Sequence, residues 1–113
     1  MIKLKRIYDP YAESDGKRVL VDRLWPRGIK KEAAGLDLWL RDIAPSDALR
    51  KWFAHDPSRW QEFKKRYRKE LEGRKEMIDD LRAEVRRKTV TLLFSAKDTE
   101  RNNAVALKEI IEG

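Results

Sequence analysis

Polar and cationic side chains follow two apolar segments of the chain, at the points where each segment ends. They lie in the stretches 22–28 and 95–103. Because ligands of open α/β sheets collect beyond the carboxyl ends of the strands, we expect both stretches to form one anion site. Arginine gives bidentate hydrogen bonds to phosphate or carboxylate, and an indole ring can stack on a base. The expected ligand-binding residues are Arg23, Trp25, Arg27, Ser95, Lys97 and Asn103.

Each member of this set also has a purely structural role open to it. Arg23 could pair with Asp22 or Asp98 as a clamp within the protein. Trp25 could cover the core instead of stacking on a ligand. Ser95 and Asp98 could only cap the final helix, and the lysine between them could point into solvent.

General acid–base chemistry has two candidates, His55 and Asp98. A neighbouring carboxylate could tune the imidazole, and Arg23 could stabilise the charge that develops in a reaction. This alternative predicts a small hydrolase or transferase that acts on a phosphorylated or nucleoside substrate. His55 could equally be a helix-end residue that is stabilised by the helix dipole.

Composition excludes several classes of site. The chain has 113 residues, with one His and no Cys. Disulfides, thiolate nucleophiles and cysteine-bound zinc are therefore excluded, and we expect neither a metal nor a cofactor. No apolar run approaches the ~20 residues of a membrane helix, and residues 1–8 are not typical of a signal peptide, so we expect a cytoplasmic protein. The oligomeric state is left open.

The formal net charge of +7 favours a phosphate-bearing partner. Residues 1–31 carry nine basic and four acidic side chains, and residues 59–88 carry twelve and seven. The second block is either a solvated helical surface or a nucleic-acid interface. The leading prediction is a phosphate-bearing small molecule, such as a nucleotide, or a nucleic acid at the two strand-end stretches. A nucleic-acid module built on 59–88 and a protein-interaction module are the further alternatives.

Hydrophobic periodicity predicts a single α/β domain over residues 1–113. Ser46 and Asp56 are typical helix N-caps, Gly73 is expected to end a helix, and Asp98 or Thr99 is expected to cap the last helix. The predicted strands are 2–8, 18–23, 36–40 and 89–94, and the helical stripes are 49–53, 60–71, 77–85 and 104–111. The aromatic residues of 52–67 are expected in the core. Three to four strands among about four helices favour a mainly parallel sheet.

Several tracts of the chain resemble the YeaO-like proteins. They are residues 21–28, 36–40, 44–46, 49–60, 91–98 and 102–105, and the resemblance extends over nearly the whole chain. It implies a single-domain α/β protein from a larger prokaryotic group of unknown function, with no established reaction. The motif positions are Arg23, Trp25, Pro26, Arg27, Gly28, His55, Asp56, Pro57, Trp60, Asp98 and Asn103. Relatives in the wider group often carry Cys and His after the last strand, and this chain has neither at 99–103, which excludes thiol chemistry there.

Overall fold

Four parallel strands hydrogen-bond into one sheet in the computed structural model, which describes residues 1–113. The strands are β1 (Ile2–Arg6), β2 (Lys17–Leu20), β3 (Leu38–Trp39) and β4 (Val90–Phe94). Their order in the sheet is β1–β4–β2–β3, and every pair is parallel. The predicted α/β class with a parallel sheet is therefore confirmed. β4 lies at the centre because all five of its residues are buried and apolar or β-branched.

Four helices of at least seven residues accompany the sheet, together with one short α-helical turn and four turns of 3-10 helix. The α-helical turn is α1 (Lys31–Ala34), and the helices are α2 (Asp47–Phe53), α3 (Trp60–Leu71), α4 (Lys75–Arg87) and α5 (Asn103–Glu112). Ser46 caps α2 as predicted, since its side chain accepts from the Leu49 amide. Asp56 caps the turn of 3-10 helix, Pro57–Arg59, that leads into α3. None of these helices has the length and hydrophobicity that a membrane crossing requires.

Several sequence-based boundaries were wrong. The strands predicted at 2–8 and 18–23 end earlier, at Arg6 and Leu20. The last helix is capped by Asn102 instead of Asp98 or Thr99, because the Asp98 carboxylate accepts from two amides of a preceding turn. Gly73 does not end α3, which stops at Leu71 and continues through a 3-10 turn into α4. The strand predicted at 36–40 is reduced to two residues, since the ladder with β2 involves only Leu38 and Trp39.

The main core lies between one face of the sheet and helices α2 to α5. Val19 and Leu92, which are register partners on neighbouring strands, point into it. The predicted aromatic stripe is in this core, and the rings of Phe53 and Phe63 stack with centroids 4.4 Å apart. Tyr67 is fully buried beside them. Helices α2 to α5 thus cover one face of the sheet, and residues 25–39 pack against the other.

The opposite face holds a small apolar cluster and a buried ion network. Asp15 and Arg18 are 4% and 2% exposed and form an ion pair, and Lys5 Nζ lies 3.1 Å from the Asp15 carboxylate. Burial alone would raise the pKa of Asp15, but hydrogen bonds from Lys5, the Ala12 amide and Arg18 outweigh it and hold the pKa below its usual range. Arg18 also donates to two carbonyls of the α1 region. The network joins this region to the sheet.

We expect Asp15→Asn to lower the free energy of unfolding by about 3 kcal/mol at pH 7, because Arg18 loses its buried partner. The pKa of Asp15 lies below its ordinary value of 3.8, so its stabilising contribution is complete above that value and is lost as the pH falls through the folded-state pKa. Urea denaturation between pH 7 and pH 2 should therefore show the two proteins converging in acid.

The control is Asp79→Asn, which removes an exposed carboxylate 3.9 Å from Arg82. It should change the free energy of unfolding by less than about 0.5 kcal/mol. A constant difference between wild type and Asp15→Asn down to pH 2 would contradict the assigned linkage.

Candidate functional site

The carboxylate of Asp22 joins three segments at the carboxyl edge of the sheet. β2 and β4 are neighbours, so the residues that follow them meet at this edge. Asp22 accepts hydrogen bonds from the Ser95 hydroxyl at 2.6 Å, from the Ser95 amide at 2.9 Å and from Asn103 Nδ2 at 3.1 Å. Charge-assisted bonds of this kind are about twice as strong as neutral ones. Two predicted site residues, Ser95 and Asn103, are thereby fixed next to the 22–28 stretch.

A cleft of about 390 Å³ opens above this carboxylate. Its basic side chains are Arg23, Arg27 and Arg50, and Asp22 is the one acidic residue in its lining. His55 also lines it. The volume falls at the small end of the ~300–1,000 Å³ range of ligand sites. The arrangement is a cationic cleft whose single carboxylate already holds several hydrogen-bond donors.

Arg23 forms part of the cleft wall through contacts within the protein. Its Nε donates to the Pro45 carbonyl and its Nη2 donates to the Ala44 carbonyl, both at 3.1 Å. The buried Tyr67 hydroxyl donates to the adjacent Ile43 carbonyl at 2.6 Å. The clamp interpretation of Arg23 therefore holds, but the partners are backbone carbonyls instead of the expected carboxylates of Asp22 or Asp98.

We expect Arg23→Met to lower the free energy of unfolding by about 1–3 kcal/mol, because two carbonyls of the segment before α2 lose their donors. Arg27→Met should change it by less than about 0.5 kcal/mol, because no hydrogen bond or ion pair engages the Arg27 side chain. Chemical denaturation of the two variants makes the comparison. Equal effects would contradict the different roles assigned to these arginines.

Trp25 is shared between the core and the cleft. Its Nε1 donates to the Ile29 carbonyl at 2.7 Å, and its ring meets that of Trp39 edge-on at 5.2 Å between centroids. It packs against the small apolar cluster on the second face of the sheet. One part of the indole still lines the cleft. The structure therefore supports the interpretation that Trp25 covers the core, and stacking on a ligand stays a prediction.

Tyr8 lines the cleft and was missed by the sequence analysis. Its hydroxyl donates to the Arg27 carbonyl at 2.9 Å, and the guanidinium of Arg6 lies 4.9 Å from its ring centroid. Arg6 also donates to the carbonyls of Ser95 and Ala96. Tyr8 follows β1, whose carboxyl end lies at the same edge of the sheet as those of β2 and β4. Its place near the end of a predicted strand was the only sign in the sequence that it could reach the site.

Arg50 is the second residue that the sequence analysis missed. It lies on α2, lines the cleft and pairs with the exposed Asp47 at 3.1 Å. The pKa of Asp47 is lowered, chiefly because Arg50 donates a hydrogen bond to it. No sequence signal marks Arg50, since only the packing of α2 decides which of its side chains turns toward the sheet edge.

His55 reaches the cleft from a strained turn. Ala54 and His55 both have left-handed backbone conformations, with φ of 46° and 55°, which side chains with a Cβ rarely adopt. Ala54 ends α2 there, with its amide bonded to the Arg50 carbonyl. The imidazole is exposed at the cleft and lies 6.1 Å from the Phe53 ring centroid. The geometry thus places the only histidine at this site.

Lys97 and Asp98 do not line the cleft, although the sequence placed both at the site. Lys97 is exposed, which agrees with the alternative that this lysine points into solvent. The pKa of Asp98 is lowered because the amides of Glu100 and Arg101 donate to its carboxylate, with smaller contributions from Arg101 and His55. Asp98 therefore closes a turn beside the site.

We expect Ala54→Gly to raise the free energy of unfolding by about 0.5–1 kcal/mol, because glycine adopts the left-handed C-terminal position of α2 without steric cost. The matched control is Ala33→Gly in α1, which is exposed and has no positive φ. It should lose about 0.5–1 kcal/mol of stability. Urea denaturation measures both, and a destabilised Ala54→Gly protein would contradict the strained turn.

The fold and cleft define a small parallel α/β domain with a cationic strand-end site. The chain belongs to the family described as the inactive DUF488-N3 subclade, whose model matches residues 1–113. It is 44% identical over 108 residues to the uncharacterized protein YeaO of Escherichia coli, covering 96% of this chain and 94% of that protein. It is 37% identical over 112 residues to the uncharacterized protein Rv3073c of Mycobacterium tuberculosis, covering 99% and 94%. No solved structure matches the chain.

These comparisons confirm the resemblance to the YeaO-like proteins. The relatives are uncharacterized by name, so the comparisons show the family and assign no function.

Proposed function

We propose that this protein is a non-catalytic binding domain for a small phosphate-bearing ligand, such as a nucleotide, which it holds in the cleft at the strand ends. One observation carries the proposal. Three arginines line the cleft, and the only carboxylate among its lining residues already accepts three hydrogen bonds. The excess of positive charge favours an anion there.

Arg27 and Arg50 are the cations best placed to hold the phosphate. No partner within the protein engages the Arg27 guanidinium, and Arg50 pairs only with an exposed carboxylate. Arg23 uses two of its N–H groups on the Ala44 and Pro45 carbonyls and adds its charge at the cleft wall. Tyr8 and Trp25 add aromatic surface on which a base can stack.

A binding role is favoured over a hydrolase or transferase because only one of the two acid–base candidates, His55, lines the cleft. Asp98 lies outside the cleft lining, and its lowered pKa makes it a weak base and a poor proton donor near neutral pH. Asp22 is committed to Ser95 and Asn103. The description of the matching family as inactive is in keeping with this role.

Isothermal titration of the protein with AMP and with inorganic phosphate tests the proposal. We expect the double variant Arg27→Ala, Arg50→Ala to bind AMP at least about 10-fold more weakly than wild type, because it loses charge-assisted hydrogen bonds to the phosphate. The matched control is Arg68→Ala, Arg86→Ala, which removes the same charge from exposed positions on α3 and α4.

An equal loss of AMP affinity in the two double variants would contradict the cleft assignment and would indicate that the general surface charge attracts AMP.

A nucleic acid as the ligand is the other outcome of the test. In that case the protein would bind a DNA oligonucleotide and not AMP. The logarithm of the DNA affinity would fall with the logarithm of the salt concentration, with a slope of about −0.9 per phosphate contacted, and the ligand would be a nucleic acid instead of a nucleotide.

A further inference from the structure

The floor of the cleft presents hydrogen-bond acceptors. Both N–H groups of the Asn103 side chain are used, on the Val21 carbonyl at 2.9 Å and on Asp22 Oδ1 at 3.1 Å. These two acceptors fix the orientation of the amide, so that Nδ2 faces them and Oδ1 faces away. No group of the protein donates to Asn103 Oδ1. Asn103, a half-buried residue of the cleft lining, therefore has a side-chain oxygen without a donor in the protein.

Asp22 and Ser95 add to this acceptor surface. A carboxylate has about four lone-pair sites, and Asp22 receives three donors, which leaves room for one more. The Ser95 hydroxyl spends its only hydrogen on Asp22 and keeps its lone pairs. Three neighbouring side chains at the floor can accept hydrogen bonds from a ligand, and their own donors are committed within the protein.

The basic residues of the cleft have the opposite character. Arginine side chains donate and never accept, so Arg27 and Arg50 offer only donors and positive charge. A ligand that satisfies both regions needs an anionic group and, separately, hydrogen-bond donors. The same arginines disfavour a cationic ammonium as the donor, since like charges in one small cleft repel. Neutral hydroxyl groups meet both conditions.

We propose that the ligand is a phosphorylated sugar, as in a free ribonucleotide, whose vicinal hydroxyls donate to Asn103 Oδ1 and Asp22 while its phosphate meets Arg27 and Arg50. The inference rests on the proposed function and names the ligand class of that cleft. A strand-end carboxylate takes ribose hydroxyls in dinucleotide-binding folds by the same chemistry. The cleft volume of about 390 Å³ suits one mononucleotide.

Titration of the wild-type protein with AMP and with 2′,3′-dideoxy-AMP tests the inference directly. The two ligands share phosphate and base and differ only in the hydroxyl donors. We expect AMP to bind about 10-fold more tightly, which is the effect of one or two hydrogen bonds to half-buried acceptors. Because wild-type protein is used, the result does not depend on whether a variant folds.

Asn103→Ala supplies the matching change in the protein. It removes the acceptor, so we expect the affinity ratio between AMP and 2′,3′-dideoxy-AMP to fall from about 10-fold to about 2-fold. A merely structural role for Asn103 would weaken both ligands equally and leave the ratio unchanged, which would overturn its assignment. Gln61→Ala, which removes an exposed amide on α3, is the control and should keep the wild-type ratio.

The outcomes separate the two proposals. Equal binding of AMP and 2′,3′-dideoxy-AMP would overturn the sugar assignment and leave the anion site intact. No binding of AMP or inorganic phosphate would overturn both. Ribose 5-phosphate distinguishes the sources of the shared chemistry: affinity equal to that of AMP supports a sugar phosphate, and weaker binding supports a nucleotide whose base stacks in the cleft.

Discussion

The cleft depends on the hydrogen bonds that the Asp22 carboxylate accepts. This carboxylate binds Ser95 after β4 and Asn103 at the start of α5, and it lies itself just after β2. These segments come from distant parts of the chain and also meet through the β2–β4 ladder and through the bond from Asn103 to the Val21 carbonyl. Because the carboxylate has several lone pairs and no hydrogen to donate, this one side chain can accept hydrogen bonds from both of the other segments. The floor of the cleft is therefore fixed by hydrogen bonds within the protein.

Arginines serve two different purposes around this floor. Arg6 and Arg23 donate to backbone carbonyls of the segments 95–96 and 44–45 and so shape the walls. Arg27 and Arg50 keep their guanidinium groups at the cleft. Backbone carbonyls of a loop that packs against the rest of the protein need hydrogen-bond donors, and one planar guanidinium can donate to two of them. A count of basic residues cannot separate these purposes, because it does not show which charges are already engaged.

The sequence predicted the class of fold and the edge at which the site lies. Alternating and buried apolar runs fixed the strands, and the position of polar residues after β2 and β4 correctly placed Arg23, Trp25, Arg27, Ser95 and Asn103 in the cleft lining. Lys97 and Asp98 lie outside that lining, and the Asp98 carboxylate closes a turn instead. Arg50 was missed because it lies on a helix, and Tyr8 because the strand predicted at 2–8 included it, whereas β1 ends at Arg6.

Local chemistry by itself indicated which elements form and the cap of α2, since strand periodicity and caps depend on neighbouring residues, but it did not set every boundary. Tertiary structure alone decided what each polar group of the site is free to do. Arg23 is committed to two carbonyls, Asn103 keeps one oxygen, and Asp22 keeps room for one donor. A hydrogen bond has one donor and one acceptor within about 3 Å, and chain order does not reveal which distant groups approach to that distance.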